Sequence, residues 1–105
     1  MEYVIYQTHR GSFQRGKERR SSKKVVDFYD GLAGKVKGFK GFIMTGSLDD
    51  PQKAVNVSLW ESREDMDNYY ANDKEYASFL ESLKPLIEQE IEKSDYMVFK
   101  RNLGM

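Results

Sequence analysis

The sequence predicts an α+β domain built as strand, helix, strand, strand, helix, strand, with one four-stranded antiparallel sheet and its helices on one face. Three observations lead there. Short runs rich in Tyr, Val, Ile and Phe recur at residues 2–9, 39–48, 54–61 and 94–101. Between the first and second runs, and between the third and fourth, the apolar residues change to helical spacing. Asp49-Asp50-Pro51-Gln52, between the middle two runs, is turn chemistry and makes them a hairpin. At 105 residues, with no repeat and no low-complexity linker, the chain is one domain spanning 1–105.

The first strand, 2–9, stops at Gly11, and residues 10–24 pass from loop into the opening of a helix. Over 24–37, Val25, Tyr29, Leu32 and Val36 share one helical face. Gly31 and Gly34 weaken that helix by about 1 kcal/mol each, so its face must dock to persist, and Gly38 is its expected stop. After the hairpin, Ser62-Arg63-Glu64-Asp65 reads as a capping box opening a short helix, which Asn72-Asp73 breaks and restarts. Tyr76, Phe79, Leu80, Leu83, Ile87 and Ile91 give the last helix its apolar side, with Pro85 expected to kink or break it.

Composition excludes several classes. There is no Cys, hence no disulfide, thiolate metal site or cysteine nucleophile. The lone His leaves no histidine pair for a metal, the acids at 64, 65 and 67 read as a helix start, and Gly11-Ser12-Phe13-Gln14-Arg15-Gly16 lacks the ending of a phosphate loop. No apolar run approaches the roughly 18 residues of a membrane span, and the N-terminus lacks a signal-peptide core, so the expected location is cytoplasmic.

Formal net charge is zero, but residues 1–40 hold ten basic and four acidic groups, against seven and thirteen in the remainder. The excess concentrates in Arg10, Arg15, Lys17, Arg19, Arg20, Lys23 and Lys24, opposed by Glu18 alone. The stretch reads as a solvated helix opening or a patch facing the acidic half of a partner subunit, ahead of a nucleic-acid site.

The strands carry apolar residues on both faces. Tyr3 and Ile5 oppose Val4 and Tyr6; Phe39 and Ile43 oppose Phe42 and Met44, unless Gly41 shifts the register; Tyr96 and Val98 oppose Met97 and Phe99. Helices cover one face, so a second copy of the sheet is the simplest cover for the other, and a homodimer through the sheet faces is expected.

Gly38-Phe39-Lys40-Gly41-Phe42, Val57-Ser58-Leu59-Trp60-Glu61-Ser62, Tyr70 and Leu83-Lys84-Pro85-Leu86 together resemble the antibiotic biosynthesis monooxygenase (ABM) domain family, over residues 2–101. The resemblance implies a ferredoxin-like subunit, a dimeric α+β barrel, and a pocket between helices and sheet. It also implies cofactor-free oxygenation of a flat phenol or quinol, with a non-catalytic dimeric ligand-binding or protein-interaction domain as the alternative. No cofactor is called for.

Even spacing puts Asn56, Ser58 and Trp60 on one strand face. Asn56 and Trp60 resemble the Asn-and-Trp pair that cofactor-free members place against substrate, where an amide and an indole N–H can each donate to an oxyanion. Asparagine is disfavoured in strands, which singles out Asn56; a Trp closing a strand also reads as a core anchor. Tyr70 joins these two as a catalytic candidate, and Tyr69, Tyr6, Ser58 and His9 are substrate-binding candidates. Tyr29, Tyr76 and Tyr96 are further hydroxyl carriers. His9 could act as a base, although a lone His beside Arg10 and a glycine loop also reads as exposed. In haem-degrading members the matching positions fall on Gln7, Tyr69 and Phe79, and a phenylalanine cannot ligate iron, so the resemblance argues against haem degradation.

Overall fold

The computed structural model describes residues 4–99. In chain order it contains β1 (Ile5–Ser12), α1 (Glu18–Asp30), β2 (Phe39–Gly46), β3 (Lys53–Trp60), α2 (Arg63–Asn72), α3 (Lys74–Leu83), a 3-10 turn over Lys84–Leu86, and β4 (Glu92–Met97). The strands form one antiparallel sheet in the order β2-β3-β1-β4. This is a ferredoxin-like α+β fold, as the order of elements predicts.

Several boundaries move. β1 is described from Ile5 and runs through Gly11 to Ser12, because Gly11 pairs with Ala54 in the ladder; residues 2–3 of the expected strand lie outside the described residues. α1 begins at Glu18 and ends at Asp30, not at 37. Beyond Asp30 the chain turns, with Gly34 and Gly38 at positive φ. Leu32 stays buried and Val36 packs on the core from this turn, so both reach their expected places without helical backbone. α3 stops at Leu83, and Pro85 sits in the first positions of the 3-10 turn, where its missing N–H costs nothing. Ile87 and Ile91 therefore lie in the connection to β4, which ends at Met97; the predicted extension to 100–101 falls outside the described residues.

The caps follow the sequence. Ser62 Oγ accepts from the Asp65 amide at 3.1 Å and opens α2, and Asp73 Oδ1 accepts from the Glu75 amide at 2.9 Å and opens α3. In the hairpin turn, Asp50 Oδ1 accepts from the Gln52 amide at 3.0 Å. Gly38 has φ +81°, and a side chain there would collide with Asp65, so this corner admits only glycine.

Val25, Tyr29, Leu32, Tyr76, Phe79, Leu83 and Leu86 form the core between helices and sheet. Aromatic stacking orders it: Tyr29 lies over Phe42 at 4.2 Å and Phe28 over Phe79 at 4.1 Å. A register shift between Phe39 and Gly41 puts Phe39, Phe42 and Met44 together on the helix side and leaves Ile43 on the other.

The sheet's helix-facing surface is not uniformly apolar. Gln7, His9, Asn56 and Ser58 point inward and are buried there. The outer surface carries Tyr6, Ile43, Val57, Leu59 and Tyr96, with Ile43 and Tyr96 exposed. Among the described residues no helix is long and apolar enough to cross a membrane.

Candidate functional site

β1 and β3 are neighbours, and their register sets His9 opposite Asn56 and Gln7 opposite Ser58. Alternation directs all four inward, beneath Tyr29 of α1, Tyr70 of α2 and Tyr76 of α3. β4 adds Asp95 opposite Gln7 and Lys93 opposite His9.

These groups form a continuous hydrogen-bond chain. The indole N–H of Trp60 donates to Ser58 Oγ at 3.1 Å, and Ser58 Oγ meets the Tyr70 hydroxyl at 3.0 Å. Tyr70 meets the Tyr29 hydroxyl at 3.2 Å, which lies 3.3 Å from His9 Nδ1. His9 Nε2 bonds Gln7 Oε1, and Gln7 Nε2 donates to Asp95 Oδ1 at 2.7 Å. Arg63 holds the other oxygen of Asp95 at 3.3 Å.

Beside this chain lies a cavity of about 30 Å³, the room of about one water molecule. His9, Tyr29, Asn56 and Tyr76 supply its polar wall, and Phe79, Leu80, Ile87 and Ile91 are among its apolar lining. Asn56 Oδ1 and the Tyr76 hydroxyl are both buried with no hydrogen-bond partner. A buried polar atom without a partner costs about 1–3 kcal/mol, and these two sit beside the same cavity.

The electrostatics favour neutral groups. Burial, then the Lys93 ammonium, lowers the His9 pKa to about 4 against the opposing pull of Asp95, so the imidazole is neutral at pH 7. Burial raises the Tyr70 hydroxyl to about 12 and pushes Tyr29 and Tyr76 up as well. Burial and the Asp73 carboxylate raise Tyr69. The Lys93 ammonium sits 5.1 Å from the centre of the Tyr76 ring and 5.5 Å from that of Tyr70, and desolvation lowers its pKa.

The sequence-derived candidates separate into three places. Asn56 and His9 line the cavity. His9 is buried, contrary to the exposed reading: Arg10 turns to the outer side of β1 while helices and β4 close over the imidazole. Ser58, Trp60 and Tyr70 lie in the chain; Trp60 is fully buried against Phe39, Tyr69 and Tyr70 and is not part of the cavity wall. Tyr69 packs between Trp60 and Tyr76. Tyr6 is on the outer surface, stacked on Tyr96 at 5.0 Å. Gln7 belongs to the chain, and Phe79 presents only a carbon ring, stacked on Phe28. The contribution of Tyr76 follows from its place on α3, and that of Asp95 from strand pairing across the whole domain.

A two-layer α+β domain with an internal polar wall beside a small cavity is the class that fold and site define. No family model matches the chain, and no curated protein matches it. Solved structures do. The chain superposes with a TM-score of 0.82 on a candidate antibiotic biosynthesis monooxygenase from Nitrosomonas europaea, at 13% identity, covering 94% of this chain and 93% of that one. A candidate antibiotic biosynthesis monooxygenase from Bordetella bronchiseptica gives 0.80 at 15% identity, covering 97% and 100%. A variant of SnoaB, a cofactor-independent oxygenase from Streptomyces nogalater, gives 0.81 at 12% identity, covering 93% and 95%. The chain therefore has the fold of the ABM domain proteins.

Proposed function

We propose that this chain is a cofactor-independent monooxygenase for a flat hydroxylated aromatic, a phenol, quinol or anthrone, bound between helices and sheet. The observation that carries the reading is Asn56: an amide on a central strand, buried, with Oδ1 unpartnered at the cavity. In an anthrone oxidation the substrate loses a proton and its carbanion gives electrons to dioxygen. A C–O bond forms, the O–O bond breaks, and the ring CH2 becomes C=O while the second oxygen leaves as water. Asn56 Oδ1 receives the substrate hydroxyl, and its NH2 can donate to the oxyanion that replaces it. Trp60 and Ser58 orient Tyr70, and Tyr69 closes the aromatic wall behind them. Fold likeness to SnoaB supports the reaction class.

The outer sheet surface supports a homodimer. Tyr6, Ile43, Val57, Leu59 and Tyr96 make an apolar surface of the kind a second sheet covers. Tyr6 then serves the interface rather than the substrate.

Oxygen-electrode traces with 1,8-dihydroxy-9-anthrone test the proposal. The expected result is one dioxygen consumed per anthrone, faster than in buffer, with Asn56→Ala at least tenfold slower. Equal rates for wild type and buffer would refute it. The small cavity favours one second reading, a non-catalytic binding domain of the same fold, which thermal stabilisation by aromatic ligands without oxygen uptake would support.

A further inference from the structure

The hydrogen-bond chain has only one consistent direction. Its two ends are fixed by chemistry: an indole N–H can only donate, and an ionised carboxylate can only accept. Because Asp95 accepts from Gln7 Nε2, the Gln7 carbonyl is the group facing His9 Nε2. His9 Nε2 must then carry the proton, which leaves Nδ1 bare. A bare Nδ1 requires the Tyr29 hydroxyl to donate to it, Tyr70 to donate to Tyr29, and Ser58 to donate to Tyr70. Trp60 completes the series by donating to Ser58. Every link points from Trp60 to Asp95.

This polarity decides what the cavity offers. The cavity wall presents acceptors: Asn56 Oδ1 from the sheet, the second lone pair of the Tyr29 oxygen from α1, and His9 Nδ1 where a ligand hydroxyl takes the place of the Tyr29 hydroxyl. The link from Tyr29 to His9 is the one whose two residues both line the cavity, so it is the one a competing hydroxyl can reach and replace. Tyr76 can donate or accept on the opposite side. We infer that Gln7 and Asp95 are positioning residues: by fixing the tautomer of His9 they make the cavity prefer a ligand that donates a hydroxyl hydrogen over an acceptor-only or donor-free ligand of the same ring. The inference rests on the reading of the cavity as the ligand site and names which ligands it takes. Aryl carboxylates, which bring only acceptors, and ethers, which bring no donor, are disfavoured.

The groups facing His9 are Tyr29 from α1, Tyr70 from α2, Tyr76 from α3, Asn56 from β3, and Lys93 and Asp95 from β4. Arg63 balances the charge of Asp95. The wall facing the cavity carries no ionised group at neutral pH, which agrees with selection of a neutral ring.

The chain holds a single histidine, so nitrogen-15 NMR reads its tautomer without assignment. The expected spectrum at pH 7 shows protonated Nε2 and bare Nδ1; an Nδ1–H tautomer or an imidazolium would overturn the inference. Three probes on one ring system then test selection: 2-naphthol, 2-methoxynaphthalene and 2-naphthoate. Naphthol should bind at least tenfold more tightly than either; equal affinities, or no naphthol binding, would overturn it. Gln7→Met keeps the side-chain length and removes both hydrogen bonds. It should give mixed tautomers and reduce the naphthol preference several-fold, whereas an unchanged tautomer and preference would show that the chain does not set them. If Gln7→Met does not fold, Asp95→Ala gives the same readout from the surface end. Selective binding without oxygen uptake leaves this inference standing and removes the oxygenase reading, so the two failures are distinguishable.

Discussion

Asn56 is the residue at which sequence and structure meet most closely. An amide in the middle of a Val- and Leu-containing strand is out of character, and the structure leaves its Oδ1 buried and unpartnered. Replacing it should therefore hurt function without hurting the fold. Asn56→Leu is expected to leave stability unchanged or raise it by about 1 kcal/mol, because an unsatisfied buried acceptor is removed, while 2-naphthol binding falls at least tenfold; urea unfolding and a fluorescence titration read the two effects. His9 was less legible. Its chain neighbours Arg10 and Gly11 suggest exposure, but its burial is decided by residues far along the chain, Lys93 and Asp95 among them. Its pKa gives a signed prediction. Folded His9 titrates at about 4 and unfolded His near 6.5, so the unfolded state binds more protons between those values and stability falls on acidification through that window. The loss should total about 3 kcal/mol and level off below pH 4. Urea midpoints against pH should show this decline for wild type and not for His9→Gln. Trp60 shows another limit: spacing places it correctly beside Asn56 and Ser58, but only the folded geometry reveals that Ser58 occupies its N–H.

Among the elements, hairpin and caps were readable because their chemistry is local: Ser62, Asp73 and Asp50 each bond a backbone amide two or three residues away. The span of α1 was not. Val25, Tyr29, Leu32 and Val36 keep helical spacing, yet the glycines at 31 and 34 let the chain leave the helix and still deliver Leu32 and Val36 to the core. Gly38→Ala should cost at least about 2 kcal/mol, from positive φ and collision with Asp65; a thermal melt with little change would contradict the described corner. The segment between the 3-10 turn and β4 forms part of the cavity wall. Ile87 and Ile91 lie on this segment and line the cavity, and a bound naphthalene ring is expected to displace them outward. Ile91→Ala is expected to cost about 1–2 kcal/mol in stability and to tighten 2-naphthol binding several-fold. Weaker binding would argue that the ring enters elsewhere.

At the scale of the molecule, charge and apolar surface are both divided. Arg15, Arg19 and Arg20 stand exposed around the start of α1, while Glu88, Glu90 and Glu92 cluster ahead of and in β4. The apolar outer sheet surface, anticipated from strands with two apolar faces, is the structural argument for pairing. Sedimentation at micromolar concentration should give about twice the 12.3 kDa chain mass, and Leu59→Glu should return it to one; a single-chain mass for wild type would contradict the dimer. The central claim, however, is that the cavity beside Asn56 and His9 receives a hydroxylated ring. A crystal structure grown with 2-naphthol tests it most directly. The account predicts the ring between helices and sheet, its hydroxyl in hydrogen-bond contact with Asn56 Oδ1 or with the Tyr29–His9 link, and the segment over 87–91 displaced outward. A naphthol seated on the outer sheet surface, or an unaltered cavity at saturating ligand, would contradict it.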